Sequence, residues 1–294
     1  QHKLISSLLG CVPLGKADEL VVGNSSEDSN LSANLTWVSG LSDGTAYTLK
    51  LANKTSQERT YEAWVNLDFI VSNARIGSGF GAMTIQEVEA FAKNCLAEAS
   101  SRMGFTDKFG ITHRLVIKMW SPNEASAITL KHAPPKHEIS LEEIGRMNSD
   151  AWNPNSLSCP VILHEVLHVL GLPDEYPESL KGYIVDPDGT KTEEERAAQI
   201  KLEPGQSLEL RYGCRILGPP ESIMRNHELA WKSKNSLLKP AQLLSIVAPG
   251  CPIIAPQYAK CARLAYTDLD SDECKAADKE CTSMQPDKYV SAPK

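Results

Sequence analysis

The sequence predicts a mixed α+β fold, with a twisted mixed sheet, one long backing helix and a second, nearly all-apolar helix beneath the sheet. Three observations predict it. From Tyr61 the chain alternates, with Tyr61, Ala63, Val65, Leu67, Phe69 and Val71 to one side and Glu62, Asn66 and Asp68 to the other. This is the period of a strand with one buried face. Thr84-Ile85-Gln86-Glu87 has the form of a capping box, opening a helix to about Met103 with Ile85, Val88, Ala92, Cys95, Leu96 and Ala99 on its inner side. Finally, Val161, Ile162, Leu163, Val166, Leu167, Val169 and Leu170 make one segment apolar nearly all round, the pattern of a helix inside a core.

Taken in order, residues 1–40 read as an N-terminal segment or linker, because from 16 to 45 the chain is small and polar. The N-x-[ST] triplets starting at Asn24, Asn30, Asn34 and Asn53 carry little weight, since such composition generates them by chance. Gly77-Ser78-Gly79-Phe80-Gly81 lacks the Lys-Ser/Thr ending of a phosphate loop and reads as a connection. Residues 113–120 form a second strand with Leu115, Ile117 and Met119 on one face, and residues 127–131 are a candidate third. Pro134-Pro135 is expected to break whatever follows it.

Beyond Tyr176 periodicity is lost. Asp186-Pro187-Asp188-Gly189 marks a turn, residues 192–200 read as a charged helix, and residues 238–247 as a helix with proline in its first turn. The organisation is therefore a domain over residues 41–249 followed by a cysteine-rich extension over 250–294. Asp268-Leu269-Asp270-Ser271-Asp272 mimics a calcium loop but lacks its glycine and reads as a solvated acidic turn.

The net charge of −7 and the absence of a basic stripe argue against nucleic acid as a partner. Cys11, Cys95, Cys159, Cys214, Cys251, Cys261, Cys274 and Cys281 make an even set of eight without a C-x-x-C pair. They read as disulfides, which places the chain outside the cytoplasm: secreted, periplasmic or on a cell surface. No apolar run of about 18 residues is present, so no transmembrane helix is expected. Leu8-Leu9-Gly10-Cys11 is similar to a lipoprotein box, which makes Cys11 a candidate lipid anchor beside its disulfide reading.

Chemistry concentrates where polar residues interrupt the apolar helix: His164, Glu165 and His168. Two histidines four apart lie on one helix face and reach one metal ion, with Glu165 beside them. Unpartnered, each buried neutral polar group would cost on the order of 2–7 kcal/mol, a charged one more, and a bound cation removes that cost. Gly171 permits a tight exit from the helix that returns Asp174 to the metal as third ligand. Its competitors are Glu175, one residue out of register, and His227 further on.

This H-E-x-x-H-x-x-G-x-x-D pattern resembles the metzincin clan of zinc peptidases, in particular its snapalysin-like branch. Ser222-Ile223-Met224-Arg225 looks like the clan's Met-turn, and Glu175-Tyr176 is also similar to motifs in IgA-cleaving metallopeptidases, whose spacing to the aspartate differs. The resemblance implies a zincin-like fold with Met224 beneath the metal in a C-terminal subdomain. It also implies Zn2+ held by His164, His168 and Asp174, and an endopeptidase acting on protein or peptide substrates.

Three protein ligands leave a fourth position open, as catalytic zinc sites do. Glu165 is then the general base, and Tyr176, Arg225 and His227 are candidates for stabilising the oxyanion. Two rival readings use the same residues: a secreted or surface binding protein on a zincin scaffold, against which Glu165 speaks, and a zinc-dependent amidase. Latency through Cys11 is disfavoured, because Gly10-Cys11-Val12-Pro13 lacks the arginine and aspartate of such switches.

Overall fold

A computed structural model describes residues 19–23, 45–71, 83–107, 110–122, 130, 133–142, 147–176, 179–194, 202–212 and 220–247. Cys11, the glycine cluster at 77–81, almost all of the candidate strand at 127–131 and the extension at 250–294 lie outside them.

The larger sheet has seven strands and is organised on one long member, β3 (Glu58–Val71). On one side β3 pairs antiparallel with β2 (Ala46–Lys54), and β2 with β1 (Glu19–Gly23). Its other edge is shared. From Glu58 to Val65 it pairs parallel with β5 (Thr112–Met119), and from Asn66 to Val71 parallel with β6 (Lys136–Leu141). The handover falls where the Trp120 amide, just past β5, donates to Val65 O at 2.8 Å. Two partners diverging from one twisted strand give a curled mixed sheet. β4 (Gly104–Thr106) closes the β5 edge antiparallel, and β7 (Ala151–Trp152) extends the β6 edge in parallel.

Helix α1 (Ile85–Ser100) backs this sheet, and its capping box forms: Thr84 Oγ1 accepts from the Glu87 amide at 3.3 Å while Glu87 Oε2 accepts from the Thr84 amide at 2.6 Å. Val88, Ala92, Cys95, Leu96 and Ala99 are buried on its inner face. At its far end Ser100 Oγ accepts from the Ile117 amide at 3.0 Å, binding helix to strand. Helix α2 (Cys159–Val169) packs on α1, and a Cys95–Cys159 disulfide joins them. Trp152, fully buried, meets Phe69 edge to face at 5.3 Å.

Two short helices finish the core, α3 (His227–Lys232) and α4 (Pro240–Val247). Arg102, just beyond α1, holds the end of α3. Its guanidinium donates to the carbonyls of Trp231 at 2.9 Å and Ser233 at 2.5 Å, and to Ala230 and Asn235 at 3.3 and 3.4 Å. Tyr47, in β2, donates its hydroxyl to Ile246 O at 2.8 Å and so ties α4 to the sheet.

Several elements depart from the sequence expectation. Glu19–Gly23 is a strand although it lies in the stretch read as a linker, its Leu20-Val21-Val22 run being too short to stand out from polar surroundings. β2 and β6 were not anticipated: Ala46, Tyr47, Thr48 and Leu49 are all buried, so no alternation is visible, and in β6 the inward sequence His137, Ile139, Leu141 begins with a polar residue. Thr192–Glu194, the start of the expected charged helix, lies in strand β9 (Lys191–Glu194), paired with β8 (Ser179–Val185), and residues 195–200 lie outside the described residues. The turn at Asp186–Gly189, with the Gly189 amide donating to Asp186 O at 2.8 Å and Gly189 at φ 85°, returns the chain into a hairpin that overrides helix propensity. β10 (Ser207–Tyr212) pairs with the other edge of β8, so part of the span between Asp174 and Met224 is a separate three-stranded sheet.

Candidate metal centre

Helix α2 starts after Ser158 with Pro160 in its first turn, where a missing N–H costs nothing. It ends by a double reversal: the Gly171 amide donates to His168 O at 2.8 Å and the Leu172 amide to Leu167 O at 3.0 Å. Gly171 takes φ 88°, a left-handed conformation that side chains resist. Leu167 and Leu172, both fully buried, seal the turn. The reversal aims the next residues back at the helix face that carries the histidines.

There the side chains of His164, His168 and Asp174 converge, with one potential ligand atom from each lying within 4.8 Å of the others. Asp174 Oδ1 stands 3.1 Å from His164 Nε2 and 3.3 Å from His168 Nε2. The other ring nitrogens are committed. His164 Nδ1 lies 3.0 Å from Ile223 O and His168 Nδ1 2.7 Å from Leu172 O, and a carbonyl can only accept. Both Nδ1 atoms therefore carry the proton, and in the neutral rings both Nε2 lone pairs face a carboxylate oxygen. That oxygen is buried and accepts no well-directed hydrogen bond. Three electron-rich atoms so placed repel one another unless a proton or a cation lies among them, so the donor set fits a metal ion.

Electrostatics point the same way. Burial opposes charge on His168, but the Asp174 carboxylate and then Glu165 outweigh it, and its pKa rises to about 9. Burial also opposes charge on Asp174, yet the two imidazoles hold its carboxyl well below the usual carboxylate range. A metal ion binds the same deprotonated ligands and competes with that proton. Glu165 is 7% exposed on the same helix, close enough to act on His168.

The turn carrying Met224 lies against His164. The Arg225 and Asn226 amides close it onto Ser222 O at 3.0 and 2.8 Å, Ile223 O supports His164, and Met224 is fully buried. Glu175 faces away from the ligand cluster: its carboxylate Oε1 accepts from Gln242 Nε2 at 2.7 Å and its amide donates to Met224 O at 2.9 Å. Tyr176 stacks on His164 with centroids 6.2 Å apart, and His227 lies at 5.5 Å from the same ring. Arg225 follows in the turn, half-buried.

No family model, characterised protein or solved structure matches the chain significantly. Sequence reasoning missed three supports: the carbonyls of Leu172 and Ile223, which side-chain patterns do not reveal, and Gln242, which carries no motif. The only signal for Gln242 was an amide side chain inside a largely apolar helix.

Proposed function

We propose that this chain is an extracytoplasmic zinc-dependent endopeptidase of metzincin type, with His164, His168 and Asp174 as ligands and Glu165 as general base. The observation that carries the reading is the convergence of the three ligand atoms. Atoms bound tetrahedrally at ~2.0–2.2 Å stand roughly 3.3–3.6 Å apart, and the Asp174 contacts at 3.1 and 3.3 Å are near that separation before any ion draws them into place. The clan assignment itself rests on the resemblance of the histidine motif and of the Met224 turn, and the curled mixed sheet is compatible with it.

Zinc, when bound, lowers the pKa of water towards ~7 and polarises the scissile carbonyl. Each residue of the chain has a part around it. His164 and His168 offer Nε2 because the carbonyls of Ile223 and Leu172 hold their Nδ1 protons. Asp174 offers Oδ1 and one negative charge. Glu165, beside His164 in the helix, takes a proton from the attacking water and returns it to the leaving nitrogen, which completes the proton balance of amide hydrolysis. Tyr176 and His227, both near the His164 ring, and Arg225 in the adjoining turn are the candidates for stabilising an oxyanion.

Retention of a carboxylate beside the histidines favours turnover over mere binding, because ligand binding needs the imidazoles and not that base. The test is Glu165→Ala. Hydrolysis of a peptide library should fall by about 10²–10⁴-fold while one zinc per chain is kept. Wild-type protein that takes up zinc yet cleaves nothing would overturn the enzyme reading.

A further inference from the structure

Behind the ligand cluster lies a second, fully buried group of polar side chains, Glu175, Ser222 and Gln242. They come from three separate stretches: the segment carrying Asp174, the turn carrying Ile223 and Met224, and helix α4. Gln242 is the junction. Its Nε2 donates to Glu175 Oε1 at 2.7 Å and to Ser222 Oγ at 2.9 Å, which uses both amide hydrogens. Its Oε1 accepts from the Lys239 amide at 2.8 Å, as the third residue of a helix does when it folds back to cap the start. The side chain is thus fixed at both ends.

The two residues it grips each adjoin a support of the candidate centre. Glu175 follows Asp174, and its amide donates to Met224 O at 2.9 Å. Ser222 precedes Ile223, whose carbonyl sets the tautomer of His164. A buried amide is costly unless its hydrogen bonds are made, and Gln242 makes three, so the junction resists rearrangement. We propose that Gln242 is a positioning residue for the metal centre: it locks the Asp174 segment to the Ile223 turn and thereby holds the third ligand and the His164 ring at one separation. The assignment of a metal to this site rests on the function proposed above, whereas the clamp itself does not.

Tyr47 explains why α4 can serve as the anchor. Its hydroxyl holds Ile246 O at 2.8 Å near the other end of α4, so Gln242 is mounted on a helix pinned to the sheet. Position within the chain gives no hint of this, since Gln242 is 67 residues from Glu175.

Gln242→Leu removes the donors and keeps nearly the same volume. Zinc release to a chromophoric chelator should become ~10–100-fold faster, the usual effect of losing a supporting hydrogen bond, while circular dichroism stays unchanged. The double variant Gln242→Glu with Glu175→Gln reverses donor and acceptor, and should restore slow release. Hydrogen exchange at the Glu175, Arg225 and Asn226 amides reads the clamp without any metal and should accelerate in Gln242→Leu. Unchanged exchange and unchanged release would overturn the proposal, as would faster exchange with zinc release untouched. Should Gln242→Leu fail to fold, Ser222→Ala, which deletes one of the two grips, decides by the same two measurements. An unsubstituted chain that takes up no zinc would sink the metal reading, and exchange alone would then decide whether the clamp exists.

Discussion

His164 Nδ1 lies 3.0 Å from Ile223 O, a contact that spans 59 residues and joins the helix of the histidines to the turn of Met224. Because the acceptor is a main-chain carbonyl, no side-chain substitution at Ile223 removes it directly. Disturbing the turn does.

Asp174→Ala should weaken zinc affinity by more than the ~10–100-fold typical of losing a supporting group, since a ligand and a charge go together. His227→Ala should keep tight binding, because His227 sits beside the His164 ring outside the ligand set. Competition against a chromophoric chelator measures both. Wild-type affinity in Asp174→Ala, with loss in His227→Ala, would reverse the choice of third ligand.

Gly171→Ala should destabilise the fold by about 1–2 kcal/mol, because φ 88° forces a side chain into the left-handed region. Since the residue delivers the chain to Asp174, metal affinity should fall with it. Thermal unfolding with and without zinc checks both effects; an unchanged midpoint would mean that the turn relaxes into another form.

The candidate site was legible where side chains carry the information. The spacing of His164, Glu165, His168, Gly171 and Asp174 is a pattern of residue types on a helix and its exit, and the exit glycine is left-handed as the spacing required. The alternation in β3 and the capping box of α1 are local in the same way. What escaped was non-local. The first half of β2 is buried on both faces, with Tyr47 reaching Ile246 far along the chain, and β9 takes its shape from pairing with β8 rather than from its own helix preference. Gln242 acquires its role from partners in two other segments.

Arg102→Ala should cost about 2 kcal/mol, since one guanidinium satisfies carbonyls at the end of α3 and lies 5.7 Å over the Trp231 ring. Arg102→Lys should recover little of it, because an ammonium lacks the planar fork that reaches several carbonyls at once. Denaturant midpoints decide, and equal stability of Lys and Arg at this position would remove the argument.

His113 supplies a pH dependence away from the candidate centre. It is 4% exposed, lies between the rings of Tyr61 and Phe105, and contacts Asp107 at 3.1 Å. Burial, assisted by nearby Arg59, pushes its pKa below the usual imidazole value despite Asp107. In the unfolded chain the ring titrates near 6.5, so below that pH the unfolded state binds a proton that the native state resists. Stability should therefore fall as pH drops through about 6.5 and towards the depressed native value. Denaturant unfolding across that range should show the slope in the wild type and a shallower one in His113→Gln; equal slopes would assign the effect to other groups.

The Cys95–Cys159 cross-link has an effect that resides in the unfolded chain. It closes a loop with a separation of 64 residues, and tying two points so far apart removes conformational freedom from the denatured ensemble worth about 4 kcal/mol. Occupancy of the candidate centre would act on the other side of the equilibrium, by lowering the native state. The two restraints meet on one helix, at Cys159 in its first turn and His164 and His168 further along. A reductant and a chelator should thus each narrow the same stability gap from opposite ends, and a chain exposed to both loses two independent reasons to stay folded.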